Sequence, residues 1–269
     1  MPNLSITKQI LGYREFGNSN GTPLIALHGW GTDSRFLEPL SYLFPERKIF
    51  ILDLPGYGKS KKLERYSESI DKTAQLIANT IFSLGNNCDL LAWSFSSLPA
   101  IRLISRFRSL IRSVVFVCGS PRFPADPNWP GFKYSYILKS SYYLQEHNYN
   151  RLIKLFFMAQ SISSLHSTEI KNFIQKCSKE QGDLSFTVLT NGLDFIKHED
   201  LRTELFSQDI PALFIFGRKD KLIPAELANN FPEKTARKIA IFEKSAHMPF
   251  LTEPELFQKT LGDFWSNLE

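Results

Sequence analysis

Three side chains stand out by type and by order along the chain: Ser94, Asp220 and His247. A serine hydroxyl is a weak nucleophile until a histidine takes its proton. The histidine in turn needs a carboxylate to fix its tautomer and stabilise its charged form. Ser94 lies in Ala92-Trp93-Ser94-Phe95-Ser96, between an apolar run and a helical pattern, which is the setting of a nucleophile elbow. The common pattern G-x-S-x-G has lost both glycines here, to Ala92 and Ser96, the next smallest choices. Alone, the segment suits equally well a serine that caps the helix after it. Asp220 in GRKDKLIP and His247 in KSAHMP each follow an apolar run, in the order Ser, Asp, His, and together they favour nucleophilic acyl transfer.

Acyl transfer through a serine also needs backbone N–H donors for the oxyanion. The loop Leu27-His28-Gly29-Trp30-Gly31 and the residue after the nucleophile are the expected source, so the donors would be Trp30 and Phe95. His28 reads as a structural hydrogen-bonding residue rather than a catalyst. His147, His166 and His198 form no HxxxH or HExxH pair, and no metal site is expected. Cys88, Cys118 and Cys177 form no CxxC pair, and Cys88 and Cys118 sit in apolar runs, as buried structural thiols do. The segment GYGKS, residues 56–60, resembles the end of a phosphate-binding loop. The position where that loop needs its first glycine is Asp53, so nucleotide binding is not expected.

These side chains must be placed by a scaffold. Residues 24–28, 48–53, 88–93, 113–118, 212–216 and 238–243 are short, nearly continuous apolar runs. Such runs suit parallel strands covered on both faces. Helical periodicity fits residues 68–84, 97–107, 225–231 and 255–268, and the alternation predicts an α/β fold with a doubly wound, mostly parallel sheet. The rhythm breaks at residues 121–205. After a turn-rich stretch, PRFPADPNWPG, come helical patterns at 149–160 and 168–179, so a helical cap (lid) insertion at 121–205 is expected within a core of 1–120 and 206–269.

The 269 residues are 43% hydrophobic and 22% charged, with net charge +5, which excludes a disordered or disulfide-scaffold class. Residues 131–180 hold seven basic and three acidic side chains, so that segment is +4 against the +5 of the whole chain. The basic residues match no nucleic-acid motif, and no nucleic-acid partner is expected. The amino terminus lacks the pattern of a signal peptide, and no apolar run reaches the roughly 18 residues a membrane span needs. A soluble, cytoplasmic, monomeric protein is the expectation.

Taken together, LHGWG at 27–31, DLPGYGKS at 53–60, the Trp93-Ser94 pair and GSP-x-F…WPGF at 119–132 resemble the α/β-hydrolase superfamily, over essentially the whole chain. So do NGLDFIKHEDLR at 191–202 and SAHMPFLTEPELF at 245–257. Within the superfamily, the WPG and NGL…DLR stretches are similar to the pimeloyl-acyl-carrier-protein methyl ester esterases of biotin synthesis. The resemblance implies a cofactor-free esterase in which Ser94 is nucleophile, His247 base and acid, and Asp220 the orienting acid. It implies substrate contacts at Trp30, Phe95 and the stretch Phe156, Phe157, Met158, Ala159 and Gln160. It also implies an acyl carrier protein as partner, docking on basic residues that would include Arg151, Lys154 and Lys171. The elbow departs from the family pattern at Ala92 and Ser96, and the basic pattern departs at Leu155. A broad short-chain carboxylesterase, a carbon–carbon bond hydrolase and a catalytically inactive, ligand-binding relative remain as alternatives.

Overall fold

In a strand, successive side chains point to opposite faces, so a strand covered on both sides must be apolar at every position. The central strands meet that demand. On one face Ile25, Leu27, Phe50, Leu52, Leu90 and Ala92 join one apolar layer. On the other, Leu24, Ala26, Ile49, Ile51, Leu91 and Trp93 join a second. The computed structural model describes residues 9–85, 87–146, 152 and 167–268. Its strands are β1 (Tyr13–Gly17), β2 (Pro23–Leu27), β3 (Lys48–Leu52), β4 (Cys88–Trp93), β5 (Ile111–Val117), β6 (Ala212–Gly217) and β7 (Arg237–Phe242). They form one sheet in the order β1-β3-β2-β4-β5-β6-β7. β1 runs antiparallel to β3, and every other pair is parallel.

The helices are α1 (Leu40–Leu43), α2 (Ile70–Leu84), α3 (Ser97–Arg106), α4 (Tyr134–Gln145), α5 (Ser167–Gln181), α6 (Phe186–His198), α7 (Arg202–Ser207), α8 (Pro249–Thr252) and α9 (Pro254–Ser266). α2 shows how sequence sets such boundaries. The Ser69 hydroxyl accepts from the Lys72 N–H at its start, and Gly85 ends it with φ 118, in the left-handed region that glycine tolerates. Residues 225–230, expected as a helix, form a 3-10 helix instead. β1 was not foreseen. Its sequence YREFG is half polar because β1 is an edge strand, and its residues are intermediate or exposed.

At the amino ends of the strands an ion cluster is buried. The Asp89 carboxylate on β4 accepts from Arg112 Nε at 3.0 Å, Arg112 Nη2 at 2.6 Å and Ser113 Oγ at 2.6 Å, all at the start of β5. Arg47, just before β3, donates to the same carboxylate and lies over the Trp265 ring of α9, 3.9 Å from its centroid. The opposite, carboxyl ends of the strands remain open to the segment between β5 and β6, which carries α4 to α7.

That segment is fastened to itself and to the core. Trp129 of the WPG stretch donates through Nε1 to the Arg122 carbonyl at 2.8 Å and packs against Phe206 and Phe231. Arg202 of the DLR stretch lies over the Trp129 ring and pairs with both Asp126 and Asp200. The two stretches most particular to the resembled esterases therefore meet in space. Apart from Leu152, the helical pattern at 149–160 lies outside the described residues.

Candidate active site

Ser94 follows β4 directly, Asp220 follows β6 and His247 follows β7. Open parallel sheets present loops at these carboxyl ends, where sites collect. The fold brings the three together. His247 Nε2 lies 2.7 Å from Ser94 Oγ, and His247 Nδ1 lies 2.7 Å from Asp220 Oδ2. The other carboxylate oxygen of Asp220 accepts the N–H groups of Leu222 at 2.8 Å and Ile223 at 3.1 Å. Those bonds leave Oδ2 to accept Nδ1–H of the histidine, so Nε2 is the lone-pair nitrogen that faces the serine.

Ser94 has φ 58, a left-handed conformation that non-glycine residues rarely adopt. The turn survives without glycines because the replacements are small and satisfied. Ala92 packs within β4, and Ser96 Oγ lies 2.9 Å from both the Leu27 and Trp93 carbonyls. Trp93 Nε1 donates to the His247 carbonyl at 2.9 Å, which anchors the histidine loop to the elbow. α3 starts at Ser97, immediately after the elbow, and its amino end adds a positive partial charge there.

The HGWG loop passes beside the nucleophile, for a Cβ on Gly29 would lie 3.5 Å from Ser94 Cβ. His28 is fully buried and holds this loop rather than reacting. Its Nε2 accepts the Leu54 N–H at 3.0 Å, and its Nδ1 lies 2.8 Å from the Gly29 carbonyl. Burial lowers its pKa below 6.5 against the opposing pull of Asp53, so the ring is held neutral. Asp53 itself pins the DLPGYGKS connection. Its two oxygens accept the N–H groups of Ser34 at 2.8 Å and Lys59 at 2.9 Å. That is a carboxylate tying down a loop, in the place where a phosphate cradle would need glycine.

An apolar cavity opens beside the HGWG loop, walled by Trp30, Phe132, Ile137, Leu152, Leu193 and Leu222, with Lys139 also on its lining. Phe95 lies on a smaller neighbouring recess with Tyr57, Val188 and Gly192. Of the other residues named from the sequence, Lys171 stands exposed on α5. Arg151, Lys154 and the stretch Phe156, Phe157, Met158, Ala159, Gln160 lie outside the described residues.

Cys118 was expected only as a buried thiol, yet it sits next to the triad. Its Sγ, an Asp220 oxygen and a His247 nitrogen lie within 4.8 Å of one another. Such a trio has the donor types of a metal site. Here Asp220 and His247 are already hydrogen-bonded, and Sγ lies 3.6 Å from the Ala246 carbonyl. Burial and the nearby Asp220 charge push the thiol pKa well up, which opposes the thiolate a metal needs. The grouping therefore fits a hydrogen-bonded cluster better than a metal. No sequence signal pointed to it, because the contact joins residues over a hundred positions apart.

The family model for the alpha/beta hydrolase fold matches residues 22–254. This chain is an α/β hydrolase. The hydrolase is 30% identical over 249 residues to a pimeloyl-[acyl-carrier protein] methyl ester esterase of Legionella pneumophila strain Corby, over 91% of this chain and 95% of the relative. An esterase from Exiguobacterium antarcticum superposes with TM-score 0.82 at 23% identity, covering 94% of each chain. A bromoperoxidase from Bacillus anthracis superposes with TM-score 0.83 at 20% identity, again covering 94% of each. At such identities the structural likeness establishes the fold of the hydrolase and not its chemistry. No helix of the described residues is long and apolar enough to cross a membrane.

Proposed function

We propose that the hydrolase is a serine carboxylesterase whose substrate is the methyl ester of a pimeloyl chain on acyl carrier protein. The observation that carries the reaction class is the hydrogen-bonded line from Ser94 through His247 to Asp220, with 2.7 Å at each step. The substrate assignment is supported by similarity to the Legionella esterase over nearly the full length of both chains. An apolar cavity bordered by Trp30 of the HGWG loop and by Leu222, two residues after Asp220, supports it too.

In this mechanism Ser94 Oγ attacks the ester carbonyl as its proton passes to His247 Nε2. Asp220 Oδ2 keeps Nδ1–H directed away and stabilises the imidazolium. The N–H groups of Trp30 and Phe95 receive the oxyanion. His247 returns the proton to the departing methoxide, which leaves as methanol. Water, deprotonated by the same nitrogen, then releases the acid and restores Ser94. These steps call for no cofactor.

Residues 121–205 serve as the cap. Its apolar inner surface, Phe132, Ile137 and Leu193 among it, covers the acyl chain. The basic residues of 131–180, Arg151, Lys154 and Lys171 among them, meet the acidic carrier.

The decisive experiment compares turnover of the carrier-bound pimeloyl methyl ester with that of p-nitrophenyl esters of increasing length, in wild type and Ser94→Ala. Preference for the carrier-bound ester, lost in Ser94→Ala with folding intact, is expected. Equal activity on all short esters would favour the broad carboxylesterase. Failure of Ser94 to take up a fluorophosphonate probe would favour an inactive relative.

A further inference from the structure

The stretch beginning Asn191-Gly192-Leu193 stands in the middle of α6, where nothing in helix formation calls for glycine. Glycine is among the poorest residues for a helix interior, so its presence there needs another cause. The cause is Trp30. A Cβ at position 192 would lie 2.6 Å from Trp30 Cδ1 and 2.8 Å from Trp30 Nε1. The indole is 1% exposed, packed against this turn of α6. Its Nε1 donates to the Leu189 carbonyl, one turn earlier on the same helix, at 3.0 Å. The same Cβ would sit 3.7 Å from Phe95 Cζ. One helical position therefore abuts both residues whose backbone N–H groups are proposed to bind the oxyanion.

The helix that makes this contact is itself held to the core. Asn191 Nδ2 donates to Ser67 Oγ at 3.1 Å, and Ser185 Oγ, the amino-terminal cap of α6, donates to Glu64 Oε1 at 2.8 Å. Val188 packs against Gly56, where a Cβ would come within 2.2 Å of its side chain. On the other side of Trp30, the Gly31 carbonyl accepts from Gln181 Nε2 at 3.3 Å, at the end of α5. The loop after β2 is thus set from above by two helices of the insertion as well as from below by His28.

We infer that Gly192 is a positioning residue for the oxyanion site: by letting the Trp30 indole lie flush on α6, it sets where the Trp30 peptide N–H points. The inference rests on the ester-hydrolysis reading but not on the pimeloyl substrate. Leu193, the next residue, lines the cavity, so the same turn of helix shapes the acyl pocket and the oxyanion loop.

The test is a double-mutant cycle read with p-nitrophenyl butyrate. A methyl group at position 192 must displace the indole and the loop that carries it, and misplacement near 1 Å is enough for about a hundredfold loss. Gly192→Ala is therefore expected to lower kcat by about 10- to 100-fold while KM changes less than about threefold, since an oxyanion contact belongs to the transition state. In a Trp30→Ala background there is no indole to displace, and adding Gly192→Ala should change kcat by less than about twofold. The Trp30 indole N–H resonance, assigned by its loss in Trp30→Ala, should shift in Gly192→Ala. An equal kcat loss in both backgrounds, or a rise in KM with kcat unchanged, would overturn the inference. So would an unshifted indole resonance, whichever way turnover falls. Absence of turnover in wild type on both p-nitrophenyl butyrate and the carrier-bound ester would instead overturn the ester-hydrolysis reading, so the two failures are distinguishable.

Discussion

At Ser94 and its two partners, each side chain has one hydrogen-bonding task and the backbone supplies the rest. Asp220 is steadied by the Leu222 and Ile223 N–H groups, both donating to Oδ1; a carboxamide oxygen could keep those two bonds, but its NH2 would then face His247 Nδ1 and could not accept from it. Asp220→Asn should lower kcat by about 10⁴ by favouring the wrong histidine tautomer, with little change in thermal stability. Pre-steady-state and steady-state kinetics on one activated ester would measure it, and a loss under tenfold would contradict the assigned role. His28 gives a prediction about pH. Its pKa in the folded chain lies below 6.5, so the unfolded chain binds the proton more readily. The stability it contributes is complete above pH 6.5 and is lost as pH falls below that value. The free energy of unfolding should drop between pH 7.5 and 5.5, at a slope no steeper than about 1.4 kcal/mol per pH unit from this group, and the melting temperature with it. His28→Asn should flatten that slope. An unchanged slope in the variant would place the titration elsewhere.

At the scale of elements, strength and chemistry sit at opposite ends of the sheet. The Asp89 cluster closes the amino ends of β3, β4 and β5, and the triad stands at the carboxyl ends. Removing one partner of a buried ion pair leaves the other charges uncompensated. Asp89→Ala should cost about 3–5 kcal/mol, a fall in melting temperature of roughly 10 °C, while kcat at 20 °C stays within about twofold. Calorimetry and initial rates check the two halves. Element by element, the runs at 88–93 and 212–216 were legible because a strand buried on both faces must be apolar throughout. β1 was not, since an edge strand buries half of itself and half of YREFG is polar. α6 escaped too, because its boundaries lie in a stretch whose apolar residues face both the core and the cavity.

For the molecule as a whole, the charge surplus and the cavity wall fall in the same part of the chain. Residues 131–180 carry +4, and they belong to the segment between β5 and β6 that also supplies most of the cavity wall. If an acidic carrier approaches that side, KM for the carrier-bound ester should rise as salt is raised from 50 to 500 mM, while KM for a p-nitrophenyl ester stays flat. Arg151→Glu with Lys154→Glu should raise the first KM about tenfold and leave the second unchanged. Equal salt response for both substrates, or no response to charge reversal, would remove the carrier from the proposal.

The identities of Ser94, Asp220 and His247 and their order were determined by sequence alone. Each follows an apolar run that reads as a strand, and parallel strands deliver their next residues to one edge of the sheet. The glycine-free turn is ambiguous on paper, and only the fold shows how it is satisfied: the Ser96 hydroxyl finds the Leu27 and Trp93 carbonyls across the turn. The same holds for Cys118 beside Asp220, for the meeting of the WPG and DLR stretches, and for Gly192 against Trp30. Local pattern records what a residue needs from its own strand or helix. What it touches across a hundred or more positions of chain is decided when the elements pack, because close packing leaves room for one arrangement of neighbours and no run of sequence names them.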